Sequence, residues 1–322
     1  MIAVITGASS GIGRATALEF AKQGATVVLA ARRGFALEEL VSECEQLGGK
    51  ALAVQTNVAS EDEINALANR TIEAYGHFDV WVNNAAVSLF GHFEEIPTAD
   101  IRQLMETNVF GYMYGARAAI RHFRANGKGT LINVSSMTAL AGQPFSVPYS
   151  ISKFAVRGLS MSLAQELADQ ENIHVCCVLP AVIDTPIFQH AANYMGKRIK
   201  APEPVIPAKR VAKAIVKLTE SPKEEVAVGN MARLMRVQRL VLPLKMFDKN
   251  MQKMISKKHF KKEPSGPYQG NLYEPLTNWN RVNGDWKAEN SKKSTGKTIS
   301  TISAIAGVLL AGFALSTTLR KS

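Results

Sequence analysis

Two periods alternate along the first 230 residues. Short apolar runs rich in β-branched residues read as buried strands: Ile2–Ile5, Thr26–Ala30, Ala51–Gln55, Asp79–Val82, Thr130–Val134, His174–Leu179 and Glu225–Val228. Between them lie longer stretches with apolar residues at helical spacing, among them Gly13–Gln23, Ala36–Leu47, Glu61–Tyr75 and Ser150–Asp169. In the first of these, Ala17, Leu18 and Ala21 share one face. Ser60 precedes Glu61-Asp62-Glu63, so the serine caps the third helix and Glu63 closes a capping box. Strands apolar throughout, alternating with helices, predict an α/β fold with a parallel sheet covered on both faces. Right-handed crossovers then put ligands at the carboxyl ends of the strands.

The pattern changes after residue 230. Over 231–260, Met, Leu and Val alternate with Arg233, Arg236, Arg239, Lys245, Lys249, Lys253, Lys257 and Lys258, and Pro243 predicts a break or kink. This is a basic amphipathic segment. Residues 261–298 are polar and rich in Pro, Gly, Asn and Lys, the composition of an extended linker. Residues 299–319 carry no charge and are bracketed by lysines and Arg320, a length that suits a transmembrane helix. The expected organisation is therefore a catalytic domain over 1–230, a basic segment, a linker and a membrane tail.

Charge sharpens this division. Residues 1–195 hold 13 Lys/Arg against 18 Asp/Glu, a net of −5, whereas 196–322 hold 25 against 9, a net of +16. A basic half of that size suits an anionic membrane surface or nucleic acid. Apolar residues make up 46% of the 322, enough for a full core, and exclude collagen-like and wholly disordered classes. Three cysteines, Cys44, Cys176 and Cys177, show neither metal spacing nor a disulfide framework and read as packing residues in a reducing compartment. Met1 leads at once into the first strand, with none of the features of a signal peptide.

The first strand runs into Thr6-Gly7-Ala8-Ser9-Ser10-Gly11-Ile12-Gly13 ahead of a helix. Glycines there let the backbone approach a pyrophosphate closely, and the helix N-terminus offers N–H groups and partial positive charge. Such a turn predicts a Rossmann-type dinucleotide fold, with Gly7, Ser9, Ser10, Gly11, Ile12 and Gly13 on the cofactor. The second strand ends Ala30-Ala31-Arg32-Arg33. An acid at this place reads a ribose 2′-hydroxyl, whereas arginine pairs a 2′-phosphate. The expected cofactor is thus NADP(H), with Arg32 on the phosphate and Arg33 either beside it or a solvated surface charge.

With these motifs the chain resembles the short-chain dehydrogenase/reductase family over roughly residues 1–230. The resemblance rests on Gly7-x3-Gly11-x-Gly13, Asn83-Asn84-Ala85-Ala86, Asn108, Ser136, Tyr149-x3-Lys153 and Pro180 through Thr185. It implies that Tyr149 exchanges a proton with the substrate oxygen and that Lys153 lowers the phenol pKa and holds the nicotinamide ribose. Ser136 would bind the substrate oxygen, and Asn108 would position a water linking Lys153 to solvent. Tyr149 and Lys153, four apart at a helix start, share one face, and an ammonium nearby favours the phenolate. Strand alternation points Ser135 away from the site. Asn57 and Val58 would meet adenine, Asn84 and Ala85 would flank the cofactor, and Pro180, Ile183 and Thr185 would close over the nicotinamide. Three positions depart from the family's pattern: Ala86 and Ala181 where glycine is usual, and Asn57 where aspartate is usual.

The resemblance also places a substrate loop at Pro186 to Pro207. With Val87, Leu89, Phe90, Leu140, Phe145, Ile187 and Phe188 it would line an apolar pocket for a steroid, retinoid, long-chain aldehyde or 3-oxoacyl substrate. It implies a homodimer or homotetramer through the long helix carrying Tyr149. The expected location is a membrane surface with the catalytic domain on the cytoplasmic side, the alternative being a soluble cytoplasmic protein. The rival function is a non-catalytic NADP(H)-sensing or nucleic-acid-binding module. Against it stand the complete Asn–Ser–Tyr–Lys set and the lack of stacking aromatics in the basic run.

Overall fold

A computed structural model describes residues 1–231, 234–235 and 243–286. The chain divides into two units, Met1–Gly284 and Asp285–Ser322, and the architecture below is that of the first. Seven strands form one parallel sheet: β1 (Ile2–Thr6), β2 (Thr26–Ala31), β3 (Lys50–Gln55), β4 (Val80–Asn83), β5 (Gly129–Val134), β6 (Ile173–Pro180) and β7 (Glu225–Val228). Their spatial order is 7-6-5-4-1-2-3, with every neighbouring pair parallel. The order reverses between β1 and β4, and a crevice opens there beyond the carboxyl ends of the strands.

The apolar runs form central strands because both faces are covered. Ala3, Ile5, Val27 and Leu29 enter one buried cluster with helix α1 (Gly11–Ala21) and helix α2 (Gly34–Gln46). Val4, Val28 and Ala30 point to the other face, against α3 (Glu61–Tyr75) and Trp81. Cys44, Cys176 and Cys177 are free thiols buried in this packing. Ser60 Oγ accepts the Glu63 N–H at 3.2 Å, as a capping serine should. Glu63 does not close the box: its carboxylate accepts the Asn57 N–H at 2.7 Å and so fixes the turn leaving β3.

The remaining helices are α4 (Thr98–Met105), α5 (Gly111–Asn126), α6 (Val147–Glu166), α7 (Ala208–Glu220) and α8 (Leu244–Lys258). Pro243 does not kink α8 but stands as its N-cap, where proline's missing N–H is harmless. Residues 261–284 of the stretch that composition assigns to a linker fold back instead, and 287–298 lie outside the described residues. Phe260–Pro264 pairs antiparallel with Lys197–Ile199, and residues to Gly284 continue against the domain. Its main chain hydrogen-bonds other segments, Asn271 N–H to the His190 carbonyl and Ser265 N–H to that of Gly196, which composition does not reveal. Among the described residues no helix is long and apolar enough to cross a membrane, and the stretch 299–319 lies outside them.

Candidate active site

Seventeen of the nineteen predicted site residues line one cleft at the strand carboxyl ends; Gly13 and Asn108 stand just behind it. The phosphate loop is stitched to β4. Asn84 Nδ2 donates to the Thr6 carbonyl at 2.9 Å, while Thr6 Oγ1 accepts the N–H groups of Asn84 and Ala85. A Cβ on Gly13 would lie 2.3 Å from the Gly7 carbonyl oxygen, and one on Gly7 2.7 Å from the Ala85 Cα. The cradle therefore closes only with glycine at both places. The start of α1, at Gly11 and Ile12, lines the cleft, and a helix N-terminus there suits a pyrophosphate.

Helix α6 begins at Val147 with Pro148 in its first turn, and Ser146 behind it donates to the Leu89 carbonyl at 2.6 Å. This fixes the helix start, so Tyr149 projects into the cleft and Lys153 follows one turn later. Ser136, just beyond β5, hydrogen-bonds the Tyr149 phenol, and its Oγ also accepts the Thr138 N–H at 3.2 Å. Ser135 points the other way, donating to the Lys153 carbonyl at 2.8 Å. Lys153 is 2% exposed; its Nζ donates to the Val134 carbonyl at 3.0 Å and to Tyr112 Oη at 3.4 Å, and sits 5.6 Å from the Tyr149 ring centroid.

The electrostatics differ from the sequence expectation. Desolvation pushes the Tyr149 phenol up to about 12, against a smaller lowering by the Ser136 hydrogen bond. The same loss of water pushes the Lys153 ammonium down to about 7. The expected lowering of the phenol by its neighbour is absent because burial disfavours charge on both groups and outweighs their attraction. Tyr149 is thus a neutral donor at neutral pH.

Asn108 lies in a π-helical turn, Glu106–Phe110, where the Gly111 N–H reaches back to the Glu106 carbonyl. Its amide brackets Val87, accepting the N–H at 2.8 Å and donating to the carbonyl at 2.9 Å, and it also donates to Ser152 Oγ at 3.1 Å. It therefore ties the chain leaving β4 to the second turn of α6. Tyr112, one turn further, was not singled out from the sequence. It donates to the Val134 carbonyl at 2.9 Å and forms the floor beneath Lys153. Asn83, part of the double-Asn motif but given no role from the sequence, is buried; it accepts from Trp81 Nε1 and donates to the Asn133 side chain and the Tyr112 carbonyl.

At the far end of the cleft Arg33 is buried, not a solvated surface charge. Its Nε and Nη2 reach Ser9 Oγ at 3.2 and 2.9 Å, and Nη2 reaches Ser10 Oγ at 3.1 Å. Burial and the charges of Arg32 and Arg14 push it down to about 10. Arg32 turns both terminal nitrogens outward to main-chain carbonyls of residues 271–273. Asn57 lines the cleft between them while its Oδ1 accepts the Ala59 N–H. Glycine cradle, serine hydroxyls and paired guanidiniums make a donor set that fits a phosphorylated dinucleotide.

The apolar end departs from expectation in its walls. Val87, Phe90, Ile187 and Phe188 line it, but Leu89, Leu140 and Phe145 pack into neighbouring clusters. Their places are taken by residues from beyond 230, including Met231, Met235, Met251, Met254 and Ile255, with Lys258 and His259 alongside. The basic amphipathic segment is therefore also a cleft wall. One face of α8 is buried there, and Lys245, Lys249, Lys253 and Lys257 remain exposed on the same helix.

Residues 1–195 match the family model for short chain dehydrogenases. The uncharacterized oxidoreductase YxnA of Bacillus subtilis is 35% identical over 316 residues, covering 96% of this chain and 88% of that protein. The 3-oxoacyl-[acyl-carrier-protein] reductase FabG of Thermotoga maritima is 34% identical over 188 residues, 58% of this chain and 76% of the relative. Among solved structures, a short-chain dehydrogenase from Streptomyces avermitilis superposes with a TM-score of 0.66 at 29% identity, covering 78% of this chain and 96% of that one. The chain belongs to the short-chain dehydrogenase/reductase family and is an oxidoreductase of CH–OH and C=O groups that uses a nicotinamide cofactor.

Proposed function

We propose that this protein is an NADP(H)-dependent oxidoreductase of a lipophilic carbonyl or alcohol, with Tyr149 as the group that exchanges the proton. The observation that carries the reading is the hydrogen-bonded pair of Ser136 and neutral Tyr149 in a cleft with an apolar, Met-rich end and an arginine-paired end. When bound, the nicotinamide supplies or accepts the hydride. The chain's own groups then handle the oxygen. Ser136 and Tyr149 hydroxyls donate hydrogen bonds to a substrate carbonyl and stabilise the charge growing on it. Tyr149 gives its proton to that oxygen, and in the reverse direction takes it back. Lys153, whose ammonium burial pushes down, would stabilise the phenolate left behind when protonated and hold ribose hydroxyls. A water positioned at Asn108 would return the proton from solvent. Arg32 and Arg33 would pair the 2′-phosphate, Asn57 and Val58 the adenine.

Methionine is unbranched and adaptable, so the Met-lined end tolerates long or bulky apolar substrates. Steroid, retinoid, long-chain aldehyde and 3-oxoacyl substrates all suit it. Ile151, Phe154 and Met161 are exposed on α6, as are Phe110 and Met113 near α5, which supports pairing of two copies through these helices. Membrane association would use the lysine row of α8 on anionic lipid, with 299–319 as anchor; recovery of the full chain in the soluble fraction at low salt would argue against it.

The test follows nicotinamide absorbance with NADPH or NADH and a panel of aldehydes and ketones in detergent. NADPH-dependent reduction is expected, and Tyr149→Phe should lower turnover by about 10³-fold or more while leaving NADPH binding intact. Full activity in that variant would remove the proton-transfer role.

A further inference from the structure

Four observations concern the segment after the last strand, which no family motif covers. First, its main-chain oxygens sit on the arginines proposed for the 2′-phosphate. Arg32 Nη1 donates to the Tyr273 carbonyl at 2.6 Å and Nη2 to that of Asn271 at 2.7 Å. Arg33 Nη1 donates to the carbonyls of Leu276 and Asn278 at 2.9 and 3.2 Å. Second, the segment crosses the phosphate loop, where the Gly11 N–H donates to the Arg281 carbonyl at 3.0 Å. Third, it forms a wall: Pro275 and Leu276 face the same cleft as Asn57 and Val58. Fourth, His190 beneath it is buried, hydrogen-bonds the Asn278 main chain, and leaves Nε2 without a partner.

Both ends are pinned to the body. Gly270, at φ +56°, lies so close to the 190–192 chain that a Cβ would meet the His190 carbonyl oxygen at 2.1 Å. Leu272 is fully buried with Val87 and Leu89. Asp100, buried on α4, accepts Tyr273 Oη at 2.8 Å and Gln269 Nε2 at 3.2 Å, and also the Tyr194 hydroxyl. At the other end the Gly284 N–H donates to Asp184 Oδ1 at 3.1 Å, and its carbonyl accepts Gln189 Nε2 at 2.6 Å. Between the pins, the contacts to the arginines are neutral carbonyls. A buried guanidinium needs its N–H groups satisfied, and carbonyls serve where no phosphate is held. Charge-assisted bonds to phosphate are roughly twice as strong as neutral ones, so an anion can take those donors.

We propose that Asn271–Gly284 is a gate over the adenosine end of the cleft, latched on Asp100 through Tyr273, which the dinucleotide must lift to enter or leave. This rests on the cofactor reading above. A gate and a fixed wall differ in kinetics. Loosening a gate speeds entry and exit together; loosening a wall speeds exit alone.

The experiment is stopped-flow fluorescence of NADPH binding to, and chase from, the full chain, for wild type, Tyr273→Phe and Gly270→Ala. Tyr273→Phe removes one hydroxyl from an exposed ring and should leave the fold intact. Loss of one hydrogen bond of about 1 kcal/mol from the closed state predicts association and dissociation rates both raised roughly five-fold, with Kd within about two-fold. Gly270→Ala should raise both further, and amide exchange at Asn271 and Gly284 should quicken in both variants without cofactor. Unchanged rates in Tyr273→Phe, or faster dissociation with unchanged association, would overturn the gate. If NADH binds in place of NADPH, the 2′-phosphate assignment fails and the same rates measured with NADH still decide the gate. If neither dinucleotide binds, both proposals fall.

Discussion

Residues 1–195 and the described residues from 196 onward build one cleft by opposite means. The first stretch is net acidic, regular and strand–helix alternating, and it supplies its polar site groups from strand ends, tight turns and helix starts. Ser136 ends one strand, Tyr149 and Lys153 share a helix turn, and Asn84 stitches a loop to its neighbour. The second stretch is basic, and it acts through apolar side chains and main-chain carbonyls that reach across the sheet's end. The contrast teaches that reaction type and access reside in different parts of the chain. Chemistry requires particular functional groups at fixed spacing, whereas a wall requires only shape and satisfied hydrogen bonds.

The largest expected effect that sharpens this contrast is on stability, in the C-terminal stretch. His259 is buried among Phe90, Phe188 and Phe260, and desolvation with the Lys200 charge lowers it to about 3. Its folded pKa lies below its unfolded value near 6.5, so the unfolded chain takes up the proton first. Stability is then complete above pH 6.5 and falls as pH drops towards 3. Between pH 7 and 4 the histidine accounts for about 3 kcal/mol. His190, lowered to about 4, adds a slope of the same sign. Urea unfolding of His259→Phe should show a shallower acid slope than wild type, and equal slopes would refute the assignment.

The next effect tests the N-terminal stretch. Arg33→Ala should weaken NADPH about 10- to 100-fold, the range of a lost charge-assisted pair, and weaken NADH far less. Titration calorimetry with both dinucleotides measures this, and equal losses would place the 2′-phosphate elsewhere. The smallest effect returns to the wall. Met254→Ala should raise KM for long apolar carbonyls about ten-fold, by roughly 1.4 kcal/mol of lost burial, with kcat and short substrates little changed. A fall in kcat for every substrate would mean that α8 supports the reacting groups themselves.

Legibility followed the range of the interaction. The seven strands were readable to within about a residue because a strand buried on both faces must be apolar along its length. The proposed catalytic set came from the family resemblance, whose motifs lie near a strand end and a helix start and meet in one cleft. Tyr112 beneath Lys153 was not readable, since a tyrosine one turn beyond Asn108 carries no mark of what it faces. Phe145 and Leu140 were placed in the pocket because they are apolar and close in sequence to it, but they pack against Phe260 and Met137 instead. The lowered phenol pKa was a pairwise argument, and desolvation depends on every atom around the pair.

By itself, then, the sequence determined the parallel sheet and the strand–turn–helix glycine cradle, because each follows from local periodicity or spacing, while the residues proposed to move the proton came from the family resemblance that its motifs carry. Only the tertiary structure decided the protonation preference of Tyr149, the burial of Arg33 and the use of Met231, Met235 and side chains between 251 and 276 as walls of the cleft. Those depend on contacts between segments up to about 270 residues apart, such as the Gly11 N–H on the Arg281 carbonyl. Nothing in either segment's own pattern encodes such a meeting.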